Sequence, residues 1–313
     1  MKVEINIFDI VNFLEEQQYD FTFTGKKETT LTGYSTLFNY KEDTITFVSS
    51  LNSFKDYKDQ FENTKIKLVI MSPDENIYSC FENVIQIENP KSVFFLILDK
   101  FLSNRKNLQD DSITNDEMIY KKRSFISEYA KISKNVKFGI GCIVEDDVEI
   151  GENTIIHHNV VIRRGTKIGE NCTILSGVVI GETGFNPLKN ADGSRNIIKH
   201  YGGVEIGDNV HIGDNCSISK GSIDDTVISQ GVKLNKQVII AHNVFVGENT
   251  IFTAPTFVCG SVYIGRKCHI AASVIRNQCK VYDNSILGLG SVVVNNVESG
   301  ITVIGNPAKP IKK

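Results

Sequence analysis

From Ile126 onward every sixth residue is large and apolar: Ile126, Ile132, Phe138, Val144, Ile150, Ile156, Ile162, Ile168, Ile174 and Ile180. With 41% of residues hydrophobic, ten such hits in one frame arise by chance about once in ten thousand frames. The frame returns as Ile206, Ile212 and Ile218, then as Ile228, Leu234, Ile240, Val246, Phe252, Val258, Ile264 and Ile270. A five-residue step leads to Ile275, followed by Val281, Leu287 and Val293. An amphipathic helix repeats near 3.6 residues and a strand at 2, so six fits neither. It fits short strands joined by tight corners, which predicts a parallel β-helix whose coils bury the sixth-residue stripe and pair with the coils above and below. Glycine follows many stripe positions (Gly139, Gly151, Gly169, Gly181, Gly207, Gly213, Gly247, Gly265, Gly288). The expected reason is a corner that needs φ > 0.

The repeat is interrupted twice. Residues 185–203 hold Asn-Pro, Asp-Gly and Gly-Gly turn signals and are expected to project as a functional loop; residues 220–226 form a shorter break. The first hundred residues lack the six-residue period. There Thr44–Ser49 and Lys65–Met71 read as strands, and the segment from Asn89 through Phe101 reads as a helix capped by Asn89, with Pro90 in its first turn and Val93, Leu96, Ile97 and Phe101 on one face. The expected organisation is an α/β domain over 1–105, a polar linker over 106–124, a β-helix over 125–297 and a tail over 298–313.

Composition narrows the function. A net charge of −3 gives no footprint for nucleic acid. No run approaches the roughly 18 apolar residues of a membrane span, and the first residues have no signal-peptide core, so a cytoplasmic protein is expected. Seven cysteines without a C-x-x-C pair suit reduced, buried thiols rather than disulfides or a structural metal.

The segment Gln237-Val-Ile-Ile-Ala-His242-Asn243-Val244 resembles the Gln-x-x-Ile-Ala-His-Asn-Val stretch that carries the catalytic histidine of the UDP-3-O-acylglucosamine N-acyltransferases of lipid A synthesis, and of relatives that acylate nucleotide-linked amino sugars. Ile180-Gly-Glu-Thr-Gly-Phe185, Asp224-Asp225-Thr226, Cys259-Gly260-Ser261, Ile264-Gly265-Arg266, the Ile45–Ser49 segment and Asn89-Pro90 support it. The sequence departs from that pattern in four places. Gln278 stands where the lipid A enzyme has a second, assisting histidine. Ser219-Lys220 replaces Asp-Arg, and the helical extension that helps bind acyl carrier protein is expected to be lacking. The ending Val303-Ile-Gly305-Asn306-Pro307-Ala308-Lys309-Pro310, with Gly288-Leu-Gly290-Ser291, instead resembles coenzyme A-dependent hexapeptide acetyltransferases.

The resemblance implies a left-handed β-helix with three hexads per coil, so that residues 18 apart stack at about 4.8 Å. It implies a homotrimer with clefts between its β-helices, and no permanently bound cofactor or metal. The departures point to acyl-CoA as co-substrate and to the amine of a nucleotide-linked amino sugar as acceptor, such as a dTDP-linked 4-amino-4,6-dideoxyhexose. The acyl-carrier-protein-dependent lipid A enzyme is the alternative. A β-helix zinc enzyme of the carbonic anhydrase type and a non-catalytic sugar-nucleotide binder are rivals from other classes.

Acyl transfer to an amine needs a proton acceptor and donors for the developing oxyanion. His242, two residues past inward Ile240, is the acceptor; the Gly260 N–H, one coil above, is the oxyanion donor; Gln278 takes the second histidine's place. Phe47 and Phe54 would sandwich a pyrimidine, with Asn52 reading its edge and Asn243 also binding substrate, although a Phe in either place more often serves a core. Arg266, Gly288, Ser291 and Lys309 would meet coenzyme A. His157, His158, His200, His211 and His269 are expected to be structural or surface residues.

Overall fold

The computed structural model describes residues 4–37, 39–48, 54, 61, 64–73, 77–102, 115–116 and 123–311. The chain separates into two compact units, residues 1–108 and 109–313.

In the first unit a five-stranded sheet runs in the order Phe21–Thr24, Val84–Ile87, Leu68–Met71, Thr44–Phe47, Gly33–Tyr34. The first pair is antiparallel and the others are parallel. Helix α1 (Ile7–Glu16) is capped by Asn6, whose side chain accepts the Phe8 N–H at 2.9 Å. Helix α2 (Pro90–Leu102) occupies the segment expected from Pro90 onward, but its buried face is Val93, Phe94 and Ile97, whereas Leu96 is exposed. Alternate strand residues feed two separate cores: Ile45, Leu68, Ile70 and Ile85 pack with both helices, while Val48, Val69, Met71 and Val84 pack with Phe54, Phe61 and Phe81 on the other face. Ser49 and most of the expected linker lie outside the described residues.

The second unit is a left-handed parallel β-helix. Its strands, mostly two or three residues long, stack in three parallel ladders. Val144 pairs with Ile126 below and Ile162 above, and Ile240 pairs with Ile218 below and Val258 above. The sixth-residue stripe is buried from Phe138 through Val293. Buried two residues before each stripe position is a smaller side chain: Val136, Cys142, Val148, Thr154, Val160, Thr166, Cys172, and so on to Cys268, Ser273, Cys279, Ser285 and Ser291. Five of the seven cysteines belong to this column, which explains their burial. The coil also continues past residue 297, since Thr302–Ile304 pairs with Ile286–Leu287 and then with Lys309–Pro310.

The glycines after the stripe serve a different purpose from the one expected. Of the nine, Gly181 alone has positive φ, +86°. The others are places where coils touch: a Cβ at Gly139 would lie 2.7 Å from the His157 carbonyl carbon, and one at Gly265 would lie 2.6 Å from the Asp283 nitrogen. Left-handed corners fall three residues after a stripe position, at Asn135, Asn153, Asn171, Asn209, Asn243 and Asn249, with φ between 54 and 58°. Asparagine tolerates that region better than other side chains do.

Between Thr183 and Val204 the chain leaves the coil, forms an antiparallel hairpin of Pro187–Lys189 with Arg195–Ile197, and returns in register, Thr166 pairing with Val204.

Candidate active site

His242 and Gly260 occupy the same corner of adjacent coils, because Ile240 and Val258 are paired. They line a groove of about 740 Å³ together with Phe185, Asn186, Ser219, Ile239, Phe257, Cys259, Asn277 and Gln278. The position a Cβ would take at Gly260 is 2.7 Å from both Cε1 and Nε2 of His242, so glycine there lets the imidazole lie directly against the backbone. The neighbouring Ser261 N–H donates to the His242 carbonyl at 2.9 Å, and the Gln278 N–H donates to the Gly260 carbonyl at 3.0 Å. The Gly260 N–H has no acceptor among the described residues.

The tautomer of His242 follows from its neighbour. Asn243 Oδ1 accepts the Ser222 N–H at 3.0 Å and its Nδ2 donates to the Asp224 carbonyl at 3.0 Å; these backbone groups fix which end of the amide is oxygen. That oxygen lies 3.0 Å from His242 Nδ1, so Nδ1 carries the hydrogen and Nε2 keeps a lone pair. The Asn243 N–H donates to Thr226 Oγ1 at 2.9 Å. Asn243 therefore positions the imidazole through its oxygen and one amide hydrogen, while it also lines the groove.

The other expected site residues divide. Gln278 is exposed on the groove wall with φ +63°. Phe54 is fully buried, with Tyr78 and Phe81 rings at 4.8 and 4.9 Å. Phe47 packs on Phe94 at 4.9 Å in the other core. The two rings lie on opposite faces of one sheet and cannot sandwich a base. Asn52 lies outside the described residues. Ser291 is 1% exposed and its Oγ donates to the Gly288 carbonyl at 2.6 Å, which removes it from any cofactor contact. Gly288 lies against the Ile304 side chain. Arg266 pairs with Asp283 at 2.9 Å, and Lys309 is exposed in the last strand pair. None of these four lines the His242 groove. His158 is structural, its Nδ1 accepting the Ile140 N–H at 2.9 Å.

His200, expected to be structural or superficial, is brought beside the site. It is 1% exposed, and its ring centroid lies 5.2 Å from that of His242. The Cys259 thiol also reaches the groove; burial raises its pKa, which keeps it protonated and a poor nucleophile. Among the described residues no cluster of three or more His, Cys, Asp or Glu could hold a metal. No helix among them is long and apolar enough to cross a membrane.

A prism of sixfold repeats, three parallel ladders of short strands, defines an architectural class: the hexapeptide β-helix proteins. The model of the bacterial transferase hexapeptide (six repeats) matches residues 129–164 and 153–182. The chain is 38% identical over 101 residues to the UDP-3-O-acylglucosamine N-acyltransferase of Bordetella parapertussis, covering 32% of this chain and 28% of that protein. It is 41% identical over 129 residues to the enzyme of the same name from Hahella chejuensis, covering 41% and 36%. The matches therefore span about a third of these relatives' own length. Among solved structures, UDP-N-acetylglucosamine O-acyltransferase from Moraxella catarrhalis aligns with a TM-score of 0.56 and 29% identity, over 60% of this chain and 72% of that one. LpxA from Acinetobacter baumannii aligns with a TM-score of 0.55, 29% identity and the same coverages. Residues 129–182 thus carry the hexapeptide repeat of bacterial transferases, and the β-helix is similar to those of the two solved acyltransferases.

Proposed function

We propose that the chain is an N-acyltransferase that moves an acyl group from a thioester to the amine of a UDP-linked amino sugar. One observation carries the proposal: the lone pair of His242 Nε2 and the unengaged Gly260 N–H lie together on one groove wall. As the neutral amine attacks the thioester carbonyl, a C–N bond forms and Nε2 takes the amine proton. The carbonyl oxygen becomes an oxyanion that the Gly260 N–H receives. Collapse breaks the C–S bond, and the imidazolium returns its proton to the departing thiolate.

The relatives' names favour a UDP-linked glucosamine acceptor, the alternative set out from sequence, over the dTDP-linked 4-amino sugar. Gln278 and Ser219, which line the groove, with Lys220 next to Ser219 in the chain, are the residues through which the acceptor would differ from that of the lipid A enzyme. Acyl-CoA and acyl carrier protein are the two donors to compare. We assign the activity to a cytoplasmic homotrimer. The outward row Phe125, Ile143, Ile239, Phe257 and Val274, exposed on one ladder, supports burial against a neighbouring copy.

The test is thiol release from a panel of acyl-CoAs and acyl carrier protein thioesters with UDP- and dTDP-amino sugars, products being identified by mass. An N-acylated UDP-sugar is expected. Nucleotide binding without thiol release from any donor would make the chain a binding protein and sink the proposal.

A further inference from the structure

His200 is a buried titratable group beside the groove that the acyl-transfer steps leave unused. Its Nδ1 lies 3.2 Å from the Lys220 carbonyl and 3.3 Å from the Gly184 N–H. Its Nε2 is buried without a hydrogen-bond partner among the described residues. The ring stands at 75° to that of His242, with centroids 5.2 Å apart. Gly184 is where the two histidines meet: a Cβ there would lie 2.9 Å from His200 Cε1 and 3.0 Å from His242 Cδ2. The His242 imidazole is thus held along both edges, by the Gly184–His200 wall at Cδ2 and by Gly260 at Cε1 and Nε2.

A residue kept only to fill this space would be apolar, because a buried nitrogen without a partner costs free energy that leucine or phenylalanine does not. The two Nδ1 contacts are alternatives: accepting the Gly184 N–H would put a hydrogen on Nε2 and bury it without an acceptor, whereas donating Nδ1–H to the Lys220 carbonyl, the shorter contact, leaves only an unpaired lone pair on Nε2 and is favoured. Such a ring carries no charge to oppose a cation beside it, and His242 becomes a cation when it takes the amine proton. Ionisable groups on the segments packed around His200 are Lys199 in its own loop, Glu182, Lys220, Asp224, Asp225 and His242.

We propose that His200 is a positioning residue that sets the His242 imidazole against Gly260 and, remaining neutral, stabilises its imidazolium form. The proposal rests on His242 being the base.

His200→Phe keeps a ring and removes both nitrogens. Its melting temperature should stay within a few degrees of native, loss of the Nδ1 hydrogen bond being offset by removal of the unpaired Nε2, with KM within about twofold and kcat lower by about tenfold or more. His200→Gln, which restores a polar group, should recover kcat to within about threefold of native. Native kcat in His200→Phe, or a loss that merely follows a fall in melting temperature, overturns the proposal. Ring ¹⁵N spectra of the native protein test it without turnover: His200 should show its hydrogen on Nδ1 and an unbonded Nε2. A doubly protonated His200 at the pH of the assay would overturn it even if neither variant folds. If the native chain transfers no acyl group, the enzymatic reading fails on its own, and the spectra still decide whether the histidine pair exists.

Discussion

Asn243 Oδ1 sits 3.0 Å from His242 Nδ1 and is held there by the Ser222 N–H at the same distance. An asparagine pinned by two backbone groups selects one imidazole tautomer, the one that presents a lone pair to the groove.

Asn243→Ala should therefore lower kcat by about ten- to a hundredfold and leave KM within about threefold, because the base loses its orientation and not its substrate. His242→Ala should retain the fold and lose nearly all turnover. Steady-state kinetics with circular dichroism checks both, and near-native kcat in His242→Ala at neutral pH would refute its role.

Gly260→Ala places a methyl group 2.7 Å from His242 Nε2, and the ring must move away from the amide. A kcat loss of about a hundredfold or more is expected with little change in melting temperature, since the coil's own pairing is untouched. A crystal structure should show the imidazole rotated. Activity within a few-fold of native would remove Gly260 from the oxyanion site.

Cysteine chemistry offers a probe of the groove. Cys80 and Cys259 are partly exposed and the other five thiols are buried, with burial pushing Cys216 up to about 11. A thiol reagent at mild alkaline pH should modify at most these two in the native protein and all seven after denaturation. Blocking Cys259 should abolish activity, bound acceptor should slow the modification, and Cys259→Ser should be active and resistant.

His211 contributes a pH dependence of stability. Burial, and then the Lys233 charge, lower its pKa in the fold from the ordinary 6.5. The unfolded chain therefore binds more protons in the window from 6.5 down to the folded value, and stability falls as pH drops through that window. Above it there is no contribution, and below it the loss is complete. Melting temperatures from pH 8 to 5 should decline less steeply in His211→Gln; identical slopes would exclude the effect.

What could be read in advance followed from the period. Once Ile240 and Val258 were known to face inward 18 residues apart, His242 had to lie beneath Gly260. The period is silent where the chain leaves the coil, so His200 carried no phase that could place it beside His242. A second signal was present and unused: Ser291 stands two residues before Val293, in the small inward column shared with Cys268 and Thr250, and that spacing alone removes it from solvent. Phe54 could not be paired with Phe47 correctly, because alternation assigns faces within a strand and Phe54 lies beyond the end of Thr44–Phe47.

The excursion between Thr183 and Val204 departs from the prism after a one-residue bulge between Ile180 and Glu182 and rejoins it in register at Val204. It behaves as a cassette: exchanging those residues for another sequence would replace the rear wall behind His242, His200 included, and leave the stacked framework and the Gly260 amide as they are. Variation in what this scaffold accepts can therefore be grafted at a single insertion point, with the prism serving as a fixed chassis.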